Sequence, residues 1–340
     1  MLATEIMMTA RGGPEVLAVR RRALPPPAAG QAVVRVEAAG VSFAERQMLR
    51  GRYFAQPGFP FVPGYDVVGI VVEVGPNVRD VAVGQRVAAL TQTGGWADHV
   101  VLPADALMPV PAGLEPADAV AVVTNGVTAW QMVHRVARVR AGQAVVVHGA
   151  AGGVGSLLVQ MAILAGARVI GTGSAARHDA IRALGAIPLD YRADDVPARV
   201  RELAPGGVAA VFDHVAGPGL DDSWRMLARG GTLVCYGVAS ALNARGHRLL
   251  PFVPLLARLL RWNALPNGRG ATFYFVMRWP KLFRPDLARV LSLLAEGRIT
   301  SNVSRTFPLE QAADALRLLE SGEVGGKIVL LPGQPQRHES

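Results

Sequence analysis

The first third of the chain alternates short apolar runs with glycine and proline turns. Valine-rich stretches such as AVVRVEAAG and VVGIVVEVG are separated by PPPAAG, PGFPFVPG and VGPN. Short apolar runs that are punctuated by Gly and Pro are typical of β-strands joined by tight turns. The pattern therefore predicts a compact, barrel-like β domain over about residues 1–120.

From Gly113 the apolar spacing becomes helical, and from Ala144 strand-like and helix-like segments alternate. The predicted strands read AVVVHGA, ARVIGTGS, AIPLDY, VAAVFDHVAG and GTLVCYG. Between them lie segments with apolar residues at helical spacing, long enough to serve as crossover helices. Strands that are connected in this way form a parallel, doubly wound sheet.

The first strand-to-helix turn of that sheet consists of small residues. Residues 149–155 read GAAGGVG, between the valine-rich strand and the next apolar helix. Glycines there let the backbone approach a pyrophosphate, and the helix N-terminus favours its negative charge. We predict dinucleotide binding at Ala151, Gly152, Gly153, Val154 and Gly155, although the spacing of Gly149, Gly152 and Gly155 departs from the usual G-x-G-x-x-G. The alternative is a tight turn that binds no ligand.

The turn after the second predicted strand bears on which dinucleotide binds. An acidic residue there would bind the ribose 2'-hydroxyl of NAD, whereas a 2'-phosphate calls for basic and hydroxyl groups. Ser174 and Arg177 occupy this turn, and the first acid, Asp179, falls inside the following helix. Because a guanidinium can bind a phosphate through two hydrogen bonds, the sequence favours NADPH. The alternative is that Arg177 is a solvated residue of the first helical turn.

Composition indicates a soluble protein with a large core. The chain has 340 residues, 51% of them apolar and 18% charged, a length typical of two domains. One cysteine, Cys235, excludes an internal disulfide and indicates a reducing, cytoplasmic location. The N-terminus lacks the pattern of a signal peptide. The run LLPFVPLLARLL is shorter than the roughly 20 residues of a membrane span, so we predict no integral membrane segment.

The net charge of +9 raises the question of nucleic acid. The basic residues are nearly all arginine, with lysine only at Lys281 and Lys327, and they are spread along the chain. A nucleic-acid footprint would form a patch or stripe, so we predict no nucleic-acid partner. A positive field would instead favour capture of an anionic small molecule.

Several motifs in combination resemble those of one enzyme superfamily. The stretches PGYDVVGIVVEVGPNVRDVAVGQRV, GVTAWQMV, AAGGVG and GGKIVLLP are similar to the medium-chain dehydrogenases/reductases, and within them to the zinc-independent quinone oxidoreductases, including zeta-crystallin-like proteins. The resemblance implies an α/β protein with a GroES-like β-barrel catalytic domain (1–121), a Rossmann NADPH-binding domain (122–265) and a C-terminal return to the catalytic domain (266–340). It also implies an active site in the cleft between the domains, and frequently a homodimer.

Zinc-dependent members of the superfamily carry metal ligands at positions that differ here. The corresponding residues are Ser42, Tyr65 with Asp66, and Asn125, and the four-cysteine structural lobe is missing. Catalytic zinc requires three converging His, Cys or carboxylate ligands, so we predict no metal. Asp66, His99, His134 and His148 are conceivable lone ligands, but they have no ligand spacing. Without a Lewis acid, hydride must go to an acceptor that is already electrophilic.

The resemblance assigns catalytic roles to two residues. Ser42 lies where relatives often have an asparagine near the nicotinamide, and Tyr53 matches a tyrosine that faces the substrate cleft. A phenol there could donate a proton or hydrogen bond to a developing enolate or hydroquinone oxygen. The alternative is that Tyr53 packs the barrel rim.

The resemblance also implies further cofactor contacts. They are Thr128 beside the nicotinamide, Tyr191 near the 2'-phosphate, Val215, Gly237 and Val238 at later strand ends, and Lys327. For the last four, packing alone is the alternative. The segment 239–276 is the least family-like, and it could wall a substrate pocket, cover a dimer partner or touch a membrane surface.

Three functions stay open at this point. The first is an NADPH-dependent reductase of a small hydrophobic electrophile, either a quinone or an activated alkene such as an enone or enal. The second is an enoyl reductase that tailors a biosynthetic thioester or polyketide-type intermediate. The third is a non-catalytic dinucleotide-binding protein, of the vesicle-associated kind that resembles this family.

Overall fold

The chain folds into two compact units. The computed structural model describes residues 1–239 and 252–333. The discontinuous unit comprises Met1–Asn125 and the residues from Lys281 onward, and the continuous unit comprises Gly126–Pro280. The chain therefore leaves one unit, builds the other and returns. The divisions after Asn125 and Pro280 lie beyond the predicted ones, after residues 121 and 265.

The elements follow one another along the chain in this order. The strands are β1 (Leu2–Met8), β2 (Leu17–Ala23), β3 (Gln31–Val41), β4 (Asp66–Val74), β5 (Arg86–Leu90), β6 (His99–Pro103), β7 (Met108–Pro109), β8 (Ala144–Val147), β9 (Arg168–Gly173), β10 (Ile187–Asp190), β11 (Val208–Asp213), β12 (Leu227–Cys235), β13 (Gly270–Phe273), β14 (Val303–Pro308) and β15 (Lys327–Leu331). The α-helices are α1 (Phe43–Leu49), α2 (Pro116–Trp130), α3 (Gly153–Leu164), α4 (His178–Ala183), α5 (Val196–Leu203), α6 (Leu220–Arg225), α7 (Phe252–Asn263), α8 (Pro280–Ala295) and α9 (Ala312–Ser321). No helix of the described ranges is both long and apolar enough to cross a membrane.

The discontinuous unit is built on a seven-stranded sheet. Its order is β14-β15-β3-β4-β5-β7, with β6 also paired to β3, and β1 and β2 form a separate hairpin. Strand β3 pairs with three neighbours and is buried along most of its length, which explains its valine- and alanine-rich sequence. The return of the chain adds β15 beside β3, so the C-terminal part completes the N-terminal sheet.

The continuous unit contains the doubly wound sheet that the alternating pattern predicts. Its six strands lie in the order β10-β9-β8-β11-β12-β13, and every pairing is parallel. The chain moves from β8 to β9 and β10 on one side, then crosses to β11 on the other. This reversal creates a switch point beside the carboxyl end of β8, where doubly wound sheets bind ligands.

The segment 239–276 contributes structure that the pattern did not predict. Residues 240–251 lie outside the described residues, but α7 and the edge strand β13 follow them. Leu255, Leu259 and Trp262 of α7 are buried in the core of the continuous unit, and Trp262 stacks on Trp224 with ring centroids 5.0 Å apart. The described part of this segment therefore adds an edge strand to the parallel sheet and a helix whose apolar side chains join its hydrophobic core.

Candidate functional site

The glycine-rich turn between β8 and α3 has a backbone that excludes larger residues. Gly149 has φ +66°, a conformation that favours glycine. A Cβ at position 155 would lie 2.1 Å from the carbonyl oxygen of Gly149, so the first turn of α3 approaches the loop too closely for alanine. Helix α3 begins at Gly153, and no side chain caps its N-terminus. Its first backbone N–H groups and its dipole therefore favour an anion at this turn.

A buried polar network supports this turn from below, and the sequence reasoning missed it. His148 places Nδ1 3.1 Å from the Thr172 hydroxyl and Nε2 3.1 Å from the Ser223 hydroxyl. Ser223 donates to Asp213 at 2.8 Å, so it must accept from the Nε2–H of His148. Nδ1 of the neutral ring then accepts from Thr172, whose oxygen accepts from the backbone N–H of Gly149 at 3.3 Å.

The ionisation of this network follows from its burial. Burial lowers the pKa of His148, and the same cause lowers the pKa of the neighbouring His214. Burial acts to raise the pKa of Asp213, but hydrogen bonds from Ala216, Ser223 and Val215, together with the attraction of His148 whenever that ring is protonated, outweigh it, so this pKa lies below its usual value. The network thus holds a carboxylate beside a neutral His148. A signal was present in the sequence, since His148 and Asp213 both stand at the carboxyl ends of neighbouring strands.

The predicted 2'-phosphate contacts come together at the ends of β9 and β10. Ser174 precedes a short 3-10 helix, Ala175–Arg177, and accepts the backbone N–H of Arg177 through its carbonyl at 2.8 Å. Tyr191 directly follows β10, is 54% exposed and donates its N–H to Gly173 at 3.4 Å. These three side chains therefore belong to one edge of the sheet.

Two further residues at this edge were not predicted. Asp190, the last residue of β10, accepts the backbone N–H of Ala175 at 3.2 Å and so joins the two turns. The guanidinium of Arg192 lies 5.4 Å from the centre of the Tyr191 ring. The edge thus carries an acidic anchor for the loop and a second arginine beside the predicted contacts.

The remaining predicted cofactor residues of the continuous unit differ in exposure. Val215 follows β11, is half exposed and donates its N–H to Asp213 at 2.8 Å. A Cβ at Gly237 would lie 2.7 Å from the carbonyl oxygen of His214, so the neighbouring backbone leaves no space for a larger residue at this position. Val238 is buried in the hydrophobic core, and Thr128 is buried within α2. Their roles toward a cofactor stay predictions.

Ser42 begins helix α1, and its polar atoms are directed at Glu45. The Ser42 hydroxyl accepts the N–H of Ala44 at 3.2 Å and hydrogen-bonds to the Glu45 carboxyl group, which also accepts the Ser42 N–H at 2.8 Å. The second carboxyl oxygen of Glu45 is buried without a hydrogen-bond partner in the described structure. Burial raises the pKa of Glu45 to about 7, against the lowering effect of the Lys327 ammonium.

Lys327 forms a buried ion pair with Asp66. Its Nζ lies 3.1 and 3.2 Å from the two carboxylate oxygens, and the side chains are 3% and 0% exposed. The N–H of Thr124 donates to the same carboxylate at 3.3 Å. A Cβ at Gly40 of β3 would lie 2.0 Å from Asp66 Oδ1, so the absence of a side chain at this position leaves room for the ion pair. The ammonium group of Lys327 therefore contacts Asp66 in this structure. Its contact with a cofactor stays a prediction.

The donor groups at the zinc-ligand positions do not fit zinc. Ser42 caps a helix, Tyr65 offers a phenol, and the Asp66 carboxylate already contacts an ammonium group. Asn125 adds only an amide. Across residues 1–239 and 252–333, no three His, Cys, Asp or Glu side chains are grouped so that they could hold a metal ion. The chemistry of these donors is unlike the three-ligand sets of catalytic zinc.

Tyr53 hydrogen-bonds to a second tyrosine. The hydroxyl oxygens of Tyr53 and Tyr65 are 2.6 Å apart, and their rings meet edge to face. Tyr65 is 4% exposed, whereas Tyr53 is half-buried. Burial raises the pKa of Tyr53 to about 12, while its hydrogen bond with Tyr65 has the opposite effect. The sequence reasoning identified Tyr53 but not its partner.

Comparison with known proteins relates both units to one enzyme family. Residues 28–112 match the family model of the alcohol dehydrogenase GroES-like domain, and residues 184–330 match the model described as zinc-binding dehydrogenase. The human synaptic vesicle membrane protein VAT-1 homolog is 30% identical over 343 residues, covering 96% of this chain and 86% of that protein.

Two further relatives widen the comparison. A mycocerosic acid synthase-like polyketide synthase of Mycobacterium tuberculosis is 33% identical over 90% of this chain, which spans only 14% of that protein. The crystal structure of Escherichia coli quinone oxidoreductase complexed with NADPH has 27% identity and a TM-score of 0.86, covering 97% of this chain and all of that one. The similarity therefore includes a quinone oxidoreductase that this chain matches over its whole length and a polyketide synthase that it matches only in part.

Proposed function

The chain belongs to the medium-chain dehydrogenase/reductase superfamily of oxidoreductases, and from that premise we propose that it is an NADPH-dependent, zinc-independent enzyme that transfers hydride to a quinone or an activated alkene. The observation that carries the proposal is the glycine turn at residues 149–155, with an uncapped helix N-terminus above a satisfied polar network. The likeness to a quinone oxidoreductase that was crystallised with NADPH supports the same cofactor.

The residues of the continuous unit fit a dinucleotide by their chemistry. The backbone of residues 151–155 would bind the pyrophosphate, and Ser174 with Arg177 would bind the 2'-phosphate. Tyr191 is the exposed aromatic side chain beside them. Thr128 is proposed beside the nicotinamide, Val215, Gly237 and Val238 are proposed as cofactor contacts at later strand ends, and Lys327 is retained as a proposed late contact. When bound, the nicotinamide supplies the hydride.

The choice of acceptor follows from the donor groups of the discontinuous unit. Polarising an alcohol or a simple ketone is the task of the metal in zinc enzymes, and the groups at positions 42, 65, 66 and 125 do not fit zinc. A quinone, enone or enal is electrophilic before it binds. Tyr53 holds a proton at its hydroxyl and would donate it to the oxygen on which negative charge develops. Ser42 would orient the neighbouring end of the substrate.

An enoyl reductase acting on a thioester is the second candidate. It is favoured by the identity with the mycobacterial polyketide synthase, in which a region similar to this chain forms part of a larger protein. The hydride chemistry is the same, and only the group that activates the alkene differs.

A homodimer and a cytoplasmic location are also proposed. Light scattering of the purified protein would test the homodimer.

An NADPH oxidation screen tests the function. Purified protein is assayed with quinones, enones, enals and enoyl thioesters, each with NADPH and with NADH and in the presence of a metal chelator. We expect NADPH-specific turnover that the chelator leaves unchanged. No oxidation with any acceptor would contradict the enzyme assignment, and equal efficiency with NADH would contradict the cofactor assignment.

Substitution of Arg177 tests the proposed 2'-phosphate site. Arg177→Ala removes a guanidinium from the edge of the sheet and should raise the KM for NADPH about tenfold, the loss expected for one charge-assisted hydrogen bond, with little effect on NADH. Arg182→Ala is the matched control, because Arg182 is an exposed arginine that pairs with Asp179 at 2.7 Å. Equal effects of the two variants would argue against the site.

A further inference from the structure

The hydroxyl of Tyr65 has one hydrogen-bond partner in the described structure, the hydroxyl of Tyr53. The two oxygens are 2.6 Å apart, and Tyr65 is almost completely buried. A phenol has a single proton, so one member of the pair donates and the other accepts. If Tyr65 did not donate to Tyr53, its buried O–H would have no acceptor, which is costly. Tyr65 is therefore assigned as the donor and Tyr53 as the acceptor.

This direction leaves the proton of Tyr53 available. Tyr53 is the more exposed of the two phenols, and its oxygen already accepts from Tyr65. Its own O–H can then be directed at a third group. The arrangement matches the effect on ionisation: burial raises the pKa of both phenols, and their hydrogen bond lowers that of Tyr53 while it raises that of Tyr65.

Charged groups of the same unit act on the ionisation of the pair. Tyr65 is followed in the chain by Asp66, whose charge is balanced by Lys327. Glu45 adds a carboxyl group whose unpaired oxygen is buried and whose negative charge, when present, disfavours a phenolate on either tyrosine. A phenolate at Tyr53 thus needs a compensating donor, and Tyr65 is the hydroxyl positioned to supply it.

We propose that Tyr65 is a positioning residue of the reaction, which directs the proton of Tyr53 toward the substrate oxygen and stabilises the Tyr53 phenolate that remains after transfer. The inference rests on the proposed function, because it assumes that Tyr53 is the proton donor. In the step, the hydride that bound NADPH would supply adds to the acceptor, the dinucleotide losing a C–H bond and becoming NADP+, and the O–H bond of Tyr53 breaks. A new O–H bond forms on the enolate or hydroquinone oxygen, and a proton from solvent then restores Tyr53.

A double-mutant cycle with Tyr53→Phe and Tyr65→Phe tests this coupling. With the best acceptor from the screen, Tyr65→Phe should lower kcat about tenfold, the loss expected for one hydrogen bond to a charged oxygen. In the Tyr53→Phe background the same substitution should have no further effect, because the phenolate that it stabilises is never formed. NADPH affinity, measured by fluorescence titration, should be unchanged in all four proteins.

Tyr274→Phe is the matched control. Tyr274 is equally buried, and its hydroxyl donates to the side chain of Gln131 at 2.9 Å in the continuous unit. The same loss of a buried hydroxyl should leave kcat unchanged. A loss of kcat from Tyr65→Phe that is as large in the Tyr53→Phe background as in the parent would overturn the proposal while leaving the oxidoreductase assignment intact.

A second measurement does not depend on turnover. Tyr53 is replaced by difluorotyrosine, whose phenol ionises at lower pH, and its ionisation is followed by fluorine NMR with and without Tyr65→Phe. Loss of the donor should raise the ionisation pH of the labelled phenol. An unchanged ionisation pH would overturn the proposed role of Tyr65 even if no acceptor is found. The role of Tyr65 and the proposed function can therefore fail separately.

Discussion

Glu45 is the residue at which burial and ionisation are most directly opposed. One oxygen of its carboxyl group accepts the N–H of Ser42, while the other is buried without a partner in the described structure. A group in this position is easier to keep neutral than charged, so burial raises its pKa to about 7. The folded protein therefore retains a proton at Glu45 that the unfolded chain has already released.

Glu45 should make stability fall as the pH rises. Between its ordinary pKa of 4.5 and its folded pKa of about 7, the folded state binds more protons than the unfolded state, so the free energy of unfolding declines through this window. The full effect is on the order of 3 kcal/mol, at about 1.4 kcal/mol per pKa unit. Above the window the contribution is constant.

Urea unfolding of the parent and of Glu45→Gln across this pH range measures the effect. The variant has no carboxyl group at position 45, so its stability relative to the parent should increase as the pH rises from 4.5 to 7. Other titrating groups, such as Asp213, are common to both proteins and cancel in the difference. Parallel curves would mean that Glu45 titrates normally.

At the scale of elements, the close approach of helix α3 to the end of β8 depends on the absence of a side chain at position 155. A methyl group at position 155 would collide with the carbonyl oxygen of Gly149. Because this oxygen belongs to the backbone, it cannot move aside as a flexible side chain could. The hydrogen bonds of Thr172 and His148 support the same turn from β9 and β8. The geometry of the turn therefore arises from three elements together.

Gly155→Ala should displace the N-terminus of α3 and weaken NADPH binding by at least tenfold, since a pyrophosphate site depends on the positions of backbone N–H groups. Fluorescence titration with NADPH measures the loss. Gly219→Ala is the control, because a Cβ there would meet nothing within 4 Å and its φ of −71° suits alanine. Equal affinity of Gly155→Ala and the parent would remove the turn from the proposed binding site.

For the whole molecule, the division into two units matters to how a cofactor acts on stability. All of the proposed cofactor residues except Lys327 lie in the continuous unit, Gly126–Pro280. A ligand that binds only the folded state stabilises it by about 2.7 kcal/mol at a concentration of 100 times its Kd. A bound dinucleotide should therefore raise the unfolding temperature of the continuous unit most.

Thermal unfolding should shift upward with NADPH and less with NADH at equal concentrations. The reason is that only NADPH carries the 2'-phosphate that Ser174 and Arg177 are proposed to bind. Scanning calorimetry with each dinucleotide checks this, and Arg177→Ala should remove the difference between them. An equal shift with both cofactors in the parent would contradict the preference for NADPH.

Much of the architecture could be predicted because its signals are local. The alternation of strands and helices from Ala144 onward, the parallel sheet and the family motifs were all read from neighbouring residues, and the sheet order confirms the doubly wound fold. Strand β13 escaped prediction because four residues at the edge of a sheet carry no periodic pattern of their own. It pairs with β12, and its Ala271 packs in the same hydrophobic cluster as Leu255, Leu259 and Trp262 of α7.

The chain by itself determined the glycine turn and the types of residue that stand at the zinc-ligand positions, because backbone conformation and ligand chemistry are properties of single residues and short spacings. Only the tertiary structure decided which polar groups meet. Lys327 contacts Asp66 across 261 positions, and His148 reaches Ser223 across 75. Tyr53 and Tyr65 are close in sequence, yet their hydrogen bond required the loop between them to return. Such pairs form because a buried polar atom without a partner is costly, so most of them bond to whichever group folding brings near, and no local pattern encodes that choice.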